Sequence, residues 1–311
     1  MAVEVNAKMV KALRDVTGAG IMDCKKALIA CDGDQDAAVE YLRKAGLAMA
    51  AKKAGRIAAE GLVSIKISDC AKKAAIVEVN SETDFVAKND LFKDFVAKVN
   101  EQALFTKATN MDEFKAEPWI EDETKTVGDA LVEKVAVIHE NLQIRRFEQL
   151  SSDSYIGGYV HGGGRIGVLV SISCDNVTEE VKKAVKNTAM QIAALTPLFV
   201  DEASIPAEWS AKENEIILGQ IAQDPKNANK PQQVQEKMAI GKMKKRLTEV
   251  CLMDQAFFLD GEKTVGQYLN GVAKENGTTI KVNSFLRWET GEGIEKKQED
   301  FAAEVAKQMA K

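Results

Sequence analysis

Gly162-Gly-Gly-Arg-Ile-Gly167 offers the first chemistry to weigh, because it satisfies Gly-x-Gly-x-x-Gly, the spacing with which a strand-to-helix turn cradles the pyrophosphate of a dinucleotide. Such a site needs a helix after the glycines, whose first amides meet the phosphates. Here Ile166-Gly-Val-Leu-Val-Ser-Ile172 follows, and it alternates as a strand does. The glycines therefore read as a hairpin turn, where they permit positive φ angles and let another backbone come close. No Gly-x-x-x-x-Gly-Lys-Ser/Thr loop occurs, so the other common phosphate cradle is missing too. The two histidines, His139 and His161, lie far apart with no neighbouring cysteine or acid at ligand spacing, which argues against a zinc site. His161, just before the glycines, has no carboxylate or hydroxyl partner evident in sequence to make it a base. At a hairpin tip it is either a contact residue or an exposed histidine without a role. Five cysteines, Cys24, Cys31, Cys70, Cys174 and Cys251, are an odd number without a Cys-x-x-Cys pair, and read as reduced structural thiols.

What remains is recognition chemistry, and it centres on an acid beside an aromatic. Ala75 to Asp90 reads Ala-Ile-Val-Glu-Val-Asn-Ser-Glu-Thr-Asp-Phe-Val-Ala-Lys-Asn-Asp. Ile76 to Val79 is a short apolar, β-branched run, whereas Leu91, Phe92, Phe95, Val96 and Val99 recur at helical spacing, so the backbone changes direction around Thr83 to Lys88. Thr83 or Asp84 is placed to cap the helix. Phe85 then has two readings. It either staples the start of the helix and packs inside, which periodicity alone favours, or it stands on a tip that offers it to a partner.

The elements that must position these residues follow from pattern. The first 46 residues read as three short helices: one with Met9, Val10 and Leu13 on a face, a second over Met22 to Ala30, and a third over Ala37 to Leu42. Ala48 to Gly61 reads as a helical or extended linker. Gly61 to Val99 and Tyr155 to Leu195 then run through the same order of strand, turn, strand, turn and helix. The hairpins are Leu62 to Ile67 with Ala75 to Val79, and Tyr155 to His161 with Ile166 to Ile172; Thr178-Glu-Glu180 starts a helix. Asn110 to Thr126, with Pro118 and Trp119 among acids, is expected at the surface. Ala207 to Ala222 and Pro231 to Val250 form an antiparallel helical hairpin with more apolar side chains, Trp209, Ile217, Ile221, Met238, Met243 and Leu247 among them, than one hairpin can bury against itself. A strand over Thr279 to Trp288 precedes the Gly291-Glu-Gly293 turn and a helix carrying Phe301, Val305 and Met309 on one face.

With 311 residues, 45% of them hydrophobic, the chain holds about two domains on the usual length prior. Its net charge of -5 argues against binding nucleic acid along its length. The basic run Lys242-Met-Lys-Lys-Arg246 has no interleaved aromatics and reads as a solvated helix face. No leader or membrane-length stretch is evident, so the expected location is cytoplasmic.

At this point residues coincide as well as patterns. Leu13-Arg-Asp-Val-Thr-Gly-Ala-Gly-Ile-Met-Asp-Cys-Lys-Lys-Ala-Leu28 and Glu78-Val-Asn-Ser-Glu-Thr-Asp-Phe-Val-Ala-Lys88 closely resemble the two signatures of the bacterial translation elongation factor Ts family. The likeness continues through Glu140 to Arg146, Tyr159 to Leu169, Glu236 to Lys245, Lys263 to Gln267 and Gly291 to Lys297, so it covers nearly the whole chain. It implies a non-enzymatic guanine nucleotide exchange factor for the GTPase elongation factor Tu, in its GDP-bound and nucleotide-free states. The implied fold is α+β: a ubiquitin-associated-like three-helix bundle with its linker (1–55), two related core subdomains (56–153; 154–200 with 251–290), an inserted helical hairpin (201–250) that could pair two copies, and a C-terminal module (291–311). No cofactor, nucleic acid or membrane is implied. In that family the tip matching Thr83, Asp84, Phe85 and Val86 enters between helices of the GTPase domain and disturbs its magnesium site and phosphate loop. The position of His161 reaches the same domain, while Arg14, Ile21, Met22 and Lys25 match residues of the bundle that grip another helix of it. Ile138 matches a loop near the partner, followed by His139 where the family often has glycine. Two other classes stay in view: a ubiquitin-associated-like or RNA-binding adaptor, whose binding would survive loss of the tip, and a dinucleotide enzyme, which would bind NAD.

Overall fold

The computed structural model describes residues 5–227 and 230–295 of the chain. Three helices open it, α1 (Ala7–Thr17), α2 (Ile21–Ala30) and α3 (Gln35–Lys53). Asn6 and Asp34 cap α1 and α3 by accepting from the amides of Met9 and Ala37. Val10, Leu13, Cys24, Ala27, Leu28 and Ala38 form their common core. The third helix is longer than Ala37 to Leu42 and takes in much of the expected linker, since the alanines after Arg43 favour helix and only Gly46 interrupts them.

The next part of the chain runs β1 (Glu60–Ile67), β2 (Lys73–Ser81), α4 (Asp84–Lys88), α5 (Asp90–Phe105), α6 (Met111–Ala116), β3 (Pro118–Trp119), β4 (Asp122–Thr126), α7 (Val127–Ile138) and β5 (Gln143–Ser151). It is followed by β6 (Tyr155–His161), β7 (Ile166–Cys174) and α8 (Glu179–Leu195). After the helical hairpin of α9 (Ala207–Gln223) and α10 (Gln232–Val250) come β8 (Ala256–Phe257), β9 (Asp260–Thr264), α11 (Val265–Glu275) and β10 (Ile280–Glu289). Both large sheets are antiparallel, and the order β1-β2-β5 has its counterpart in β6-β7-β10.

The repeat goes further than the strand-and-helix pattern indicates. Lys125-Thr-Val-Gly128 recurs as Lys263-Thr-Val-Gly266. In each case the threonine ends a small two-stranded sheet and forms a capping box, with Asp129 in one and Gln267 in the other. One glutamine in each half clamps that sheet to the long helix. Gln102 donates to the Pro118 carbonyl (2.8 Å) and accepts from the Ile120 amide (2.9 Å), as Gln191 does with Ala256 (3.1 Å) and Phe258 (2.9 Å). Residues 110–126 are therefore a structural part of the first half: most of the stretch lies at the surface as expected, but Phe114 and Trp119 are buried in its core.

Strand alternation then dictates the layers. On β2, Ala75, Val77 and Val79 face Phe92, Phe95, Val96 and Val99 of α5. The opposite face presents Ala74 and Ile76, which meet Ile156, Leu169 and Trp288 of the other sheet. Val168, Val170 and Ile172 of β7 turn the other way, onto Val181, Ala184, Val185 and Ile192 of α8. The result is a helix–sheet–sheet–helix sandwich. Its two sheets approach closely because glycines line the contact: a Cβ on Gly167 would lie 2.5 Å from Val63 Cγ1. Outside it, α3 lies along α7, where Gly46 admits Ala136 and Val132.

Ile217, Ile221 and Ala239 hold α9 against α10, and Trp209 turns back onto Phe199 with ring centroids 5.1 Å apart. The expected helix with Phe301, Val305 and Met309 lies outside the described residues. Among the described residues no helix is long and apolar enough to cross a membrane, and no group of His, Cys, Asp and Glu side chains could hold a metal ion.

Candidate functional site

Helix α4 is five residues long, far too short to be stable by its own hydrogen bonds, so its surroundings must fix it. Thr83 caps it, its side chain accepting from the Val86 amide at 3.4 Å. Thr83 is itself held by Glu140, whose two carboxylate oxygens accept from the Thr83 amide (3.0 Å) and hydroxyl (2.7 Å). The Ser81 hydroxyl donates to the Thr83 carbonyl, and Glu82 accepts from the Asn141 amide at 2.6 Å. Asn141 in turn donates to the Arg56 carbonyl, and the Arg56 guanidinium pairs with Glu82 at 3.5 Å. Below this mount Val86 is buried in the first core.

Phe85 points the other way. It is 79% exposed, which overturns the reading that packs it inside. Leaving a phenylalanine side chain in water forfeits about 1.5–3 kcal/mol of burial, here on a helix whose start is held by Glu140. Asp84 beside it is exposed, and its carboxyl lies below the ordinary aspartate range, chiefly because the Lys88 ammonium hydrogen-bonds to it at 2.7 Å. It is a charged acceptor, ionised at neutral pH. Lys88 also lies over the Phe85 ring, 5.9 Å from its centroid.

The glycine hairpin belongs to the same end of the molecule. Gly162, Gly163 and Gly164 all have positive φ, as the turn reading requires. The Gly164 carbonyl accepts from the Val63 amide at 2.7 Å, against the start of β1, the strand that pairs with the last residues of β2 before the tip. His161, exposed, ends β6 at this turn, its Nδ1 3.0 Å from the Tyr159 hydroxyl. No dinucleotide cradle is formed there: β7 follows the glycines.

On the N-terminal bundle, Arg14, Ile21, Met22 and Lys25 are all exposed, with Ile21 at 55% and Met22 at 62%. The first turn of α2 thus shows two adjacent large apolar side chains to solvent. Ile138 differs from these, being half-buried against the first core. His139 ends α7 in the left-handed conformation (φ 62), where glycine carries no steric penalty. Its carbonyl accepts from Lys53 at 2.6 Å, and its ring nitrogens lie 3.4 Å from Met49 Sδ and 3.9 Å from Asp23. The junction beside the tip mount therefore also anchors the bundle.

Sequence reasoning assigned no role to Glu82, Glu140 or Glu78. The contacts that join them across the fold, Glu140 to Thr83, Glu82 to Asn141 and Glu78 to Arg145 and Arg146, span 57 to 68 residues, beyond the reach of periodicity. Glu140 and Asn141 do stand inside a stretch that carries the family likeness, Glu140 to Arg146, which is the one signal that singled them out.

Comparison with known proteins bears on the family. The family model described as Elongation factor TS matches residues 82–292, beginning at the tip mount. Elongation factor Ts of Clostridium kluyveri is 47% identical over 306 residues, covering 98% of this chain and 99% of its own. That of Clostridium botulinum is also 47% identical over 98% of each chain. Elongation factor Ts of Halothermothrix orenii is 48% identical over 307 residues, 99% of each. A family match across most of the chain, with relatives this similar from end to end, places the protein in the elongation factor Ts family.

Proposed function

We infer that this chain promotes release of GDP from elongation factor Tu by inserting the Asp84–Phe85 tip into its GTPase domain. Membership of the elongation factor Ts family makes it a nucleotide exchange factor for elongation factor Tu, with no covalent chemistry of its own. The observation that carries the finer reading is Phe85, 79% exposed at the apex of a clamped helix whose next residue is buried.

The thermodynamics are those of two ligands competing through one protein. An exchange factor weakens nucleotide only if it binds the nucleotide-free GTPase more tightly than the loaded one, and the coupling is reciprocal. A thousandfold weakening needs about 4 kcal/mol. Burial of one aromatic at the centre of an interface, together with loss of metal coordination in the partner, supplies energy of that order. In this account Phe85 gives apolar volume and shape, and Asp84 gives a charged acceptor that exchanges Lys88 for a donor of the partner. Thr83 and Val86 hold the apex. His161 makes a second contact with the same domain, and Arg14, Ile21, Met22 and Lys25 grip a separate helix, so that the tip arrives in one orientation. Magnesium and nucleotide belong to the partner.

The reading is tested by titrating elongation factor Tu with this chain in the presence and absence of GDP. Tighter binding to the nucleotide-free form is expected, with the ratio of affinities equal to the factor by which the chain weakens GDP. Equal affinity for the two forms would contradict it.

A further inference from the structure

The contact between the two sheets is apolar along most of its length and carries one buried carboxylate. Glu78, on the face of β2 that also presents Ala74 and Ile76, is fully buried. A bulge in the pairing of β2 with β5 falls at this position, where Glu78 pairs with Arg146 and Val79 with Ile144, leaving Arg145 as the extra residue. A bulge lets two consecutive side chains turn to the same side. Both arginines use it. Arg145 Nη1 lies 2.9 Å from Glu78 Oε1, and Arg146 Nε 2.6 Å from Oε2.

The same carboxylate reaches the end of the described chain. Its Oε1 accepts from the Gly291 amide at 2.8 Å and from Asn80 Nδ2 at 3.0 Å. Gly291 has φ 73, and a Cβ there would lie 2.1 Å from the Ala59 carbonyl oxygen, so this turn sits directly on the backbone that leads into β1. Arg145 goes on to the Glu292 carbonyl (2.6 Å), and Arg146 to the Glu292 carboxylate (3.4 Å) while lying over the Trp288 ring, 4.4 Å from its centroid. Burial, the largest influence on this carboxyl, opposes its charge, yet the Gly291 amide, Asn80 and the two guanidinium groups together hold it below the ordinary glutamate range.

The strands it joins are those that carry the tip mount. β2 runs on into Glu82 and Thr83, and β5 is entered from Glu140 and Asn141, the residues that bind Thr83 and Glu82. We propose that Glu78 is a positioning residue for nucleotide exchange, locking β2, β5 and the 289–294 turn into one frame so that the Thr83–Glu140 mount holds Phe85 at a fixed angle to the rest of the contact surface. The proposal rests on the tip's role in exchange. It adds a residue that touches neither partner nor nucleotide.

Glu78→Gln keeps the side chain's size and removes the buried counter-charge from both arginines, leaving Arg146 only the Glu292 carboxylate. Stopped-flow GDP release from elongation factor Tu is measured against increasing concentrations of the variant, with Val185→Ala as a variant destabilised in the other half of the molecule. The maximal rate at saturation is expected to fall about tenfold for Glu78→Gln, because a misplaced group costs rate more than binding, while the half-saturating concentration stays within about threefold. Val185→Ala should keep the parent's maximal rate. Hydrogen exchange of the 82–88 and 140–142 amides should quicken in Glu78→Gln alone. Should Glu78→Gln prove unfolded, Arg145→Lys, which keeps a cation beside Glu78 and cannot span to the Glu292 carbonyl, is expected to lower the maximal rate in the same sense. A folded Glu78→Gln with the parent's maximal rate and unchanged exchange at 82–88 would overturn the proposal, as would an equal fall for Val185→Ala. If the parent accelerates release and Phe85→Ala does not, such a result removes the role of Glu78 alone; if the parent fails to accelerate release, the reading of the tip fails first.

Discussion

Phe85 and Val86 are neighbours with opposite fates, and the difference lies in Asn89. Counting back from Phe92, which is fully buried, one heptad reaches Phe85, so an unbroken helix would bury both on one face. Asn89, however, is extended (φ -71, ψ 132), closing α4 and capping α5, and it resets the helical phase. Periodicity is blind to a one-residue break of this kind, which is why pattern alone favours burial of Phe85 while the family signature implies exposure. The mount is testable one residue at a time. Glu140→Gln leaves a single carbonyl oxygen for the Thr83 amide and hydroxyl, which costs stability of about 1 kcal/mol for one lost hydrogen bond. Chemical denaturation should register that modest loss, and GDP release should slow beyond what the stability change alone explains, as the Thr83 cap loosens.

Among elements, those with strong alternation or long periodicity were legible: the β1–β2 and β6–β7 hairpins, α5, α8 and the two helices of the hairpin. The small sheets of β3 with β4 and of β8 with β9 were not, because strands of two and five residues carry too few side chains to show a period. Their signal was the repeated Lys-Thr-Val-Gly, a capping box in each half. Thr126→Ala and Thr264→Ala should each cost about 1 kcal/mol in urea denaturation, and the double variant about the sum, since the caps lie in separate halves and share no partner. The 289–294 turn is tied to β2 by a buried charge, and this makes stability depend on pH. Glu78 has a folded-state pKa below its ordinary 4.5, so its contribution is present above that value and is lost as the pH falls through the depressed folded value. The difference in melting temperature between the parent and Glu78→Gln should accordingly be largest near neutral pH and shrink as the pH is taken below 4.5. A gap that stays constant with pH would mean that the carboxylate charge does not matter to the fold.

Taken whole, the molecule links the bundle, the tip and the glycine turn through one packed core. The bundle's exposed Ile21 and Met22 sit on helices that reach the core through α3 and α7, the tip stands beside the end of α7, and the glycine turn with His161 packs against the start of β1. Pattern alone does not give this long-range placement, since it depends on sheet-to-sheet packing around Gly167 and on the packing of α3 along α7 at Gly46; only the family resemblance implied a shared partner. In the proposed function the bundle supplies grip and the tip supplies coupling. Changing Ile21 and Met22 together to aspartate should therefore raise the concentration of factor needed for half-maximal exchange while leaving the maximal rate close to that of the parent. The most direct test of the central claim is the rate of GDP release from elongation factor Tu, followed by fluorescence, with no factor, with the parent chain and with Phe85→Ala. Because Phe85 is 79% exposed, its removal should leave stability within about 0.5 kcal/mol, yet the acceleration produced by the parent should fall about 30-fold. A parent chain that does not accelerate release, or a Phe85→Ala chain that accelerates it as well as the parent, would contradict the account.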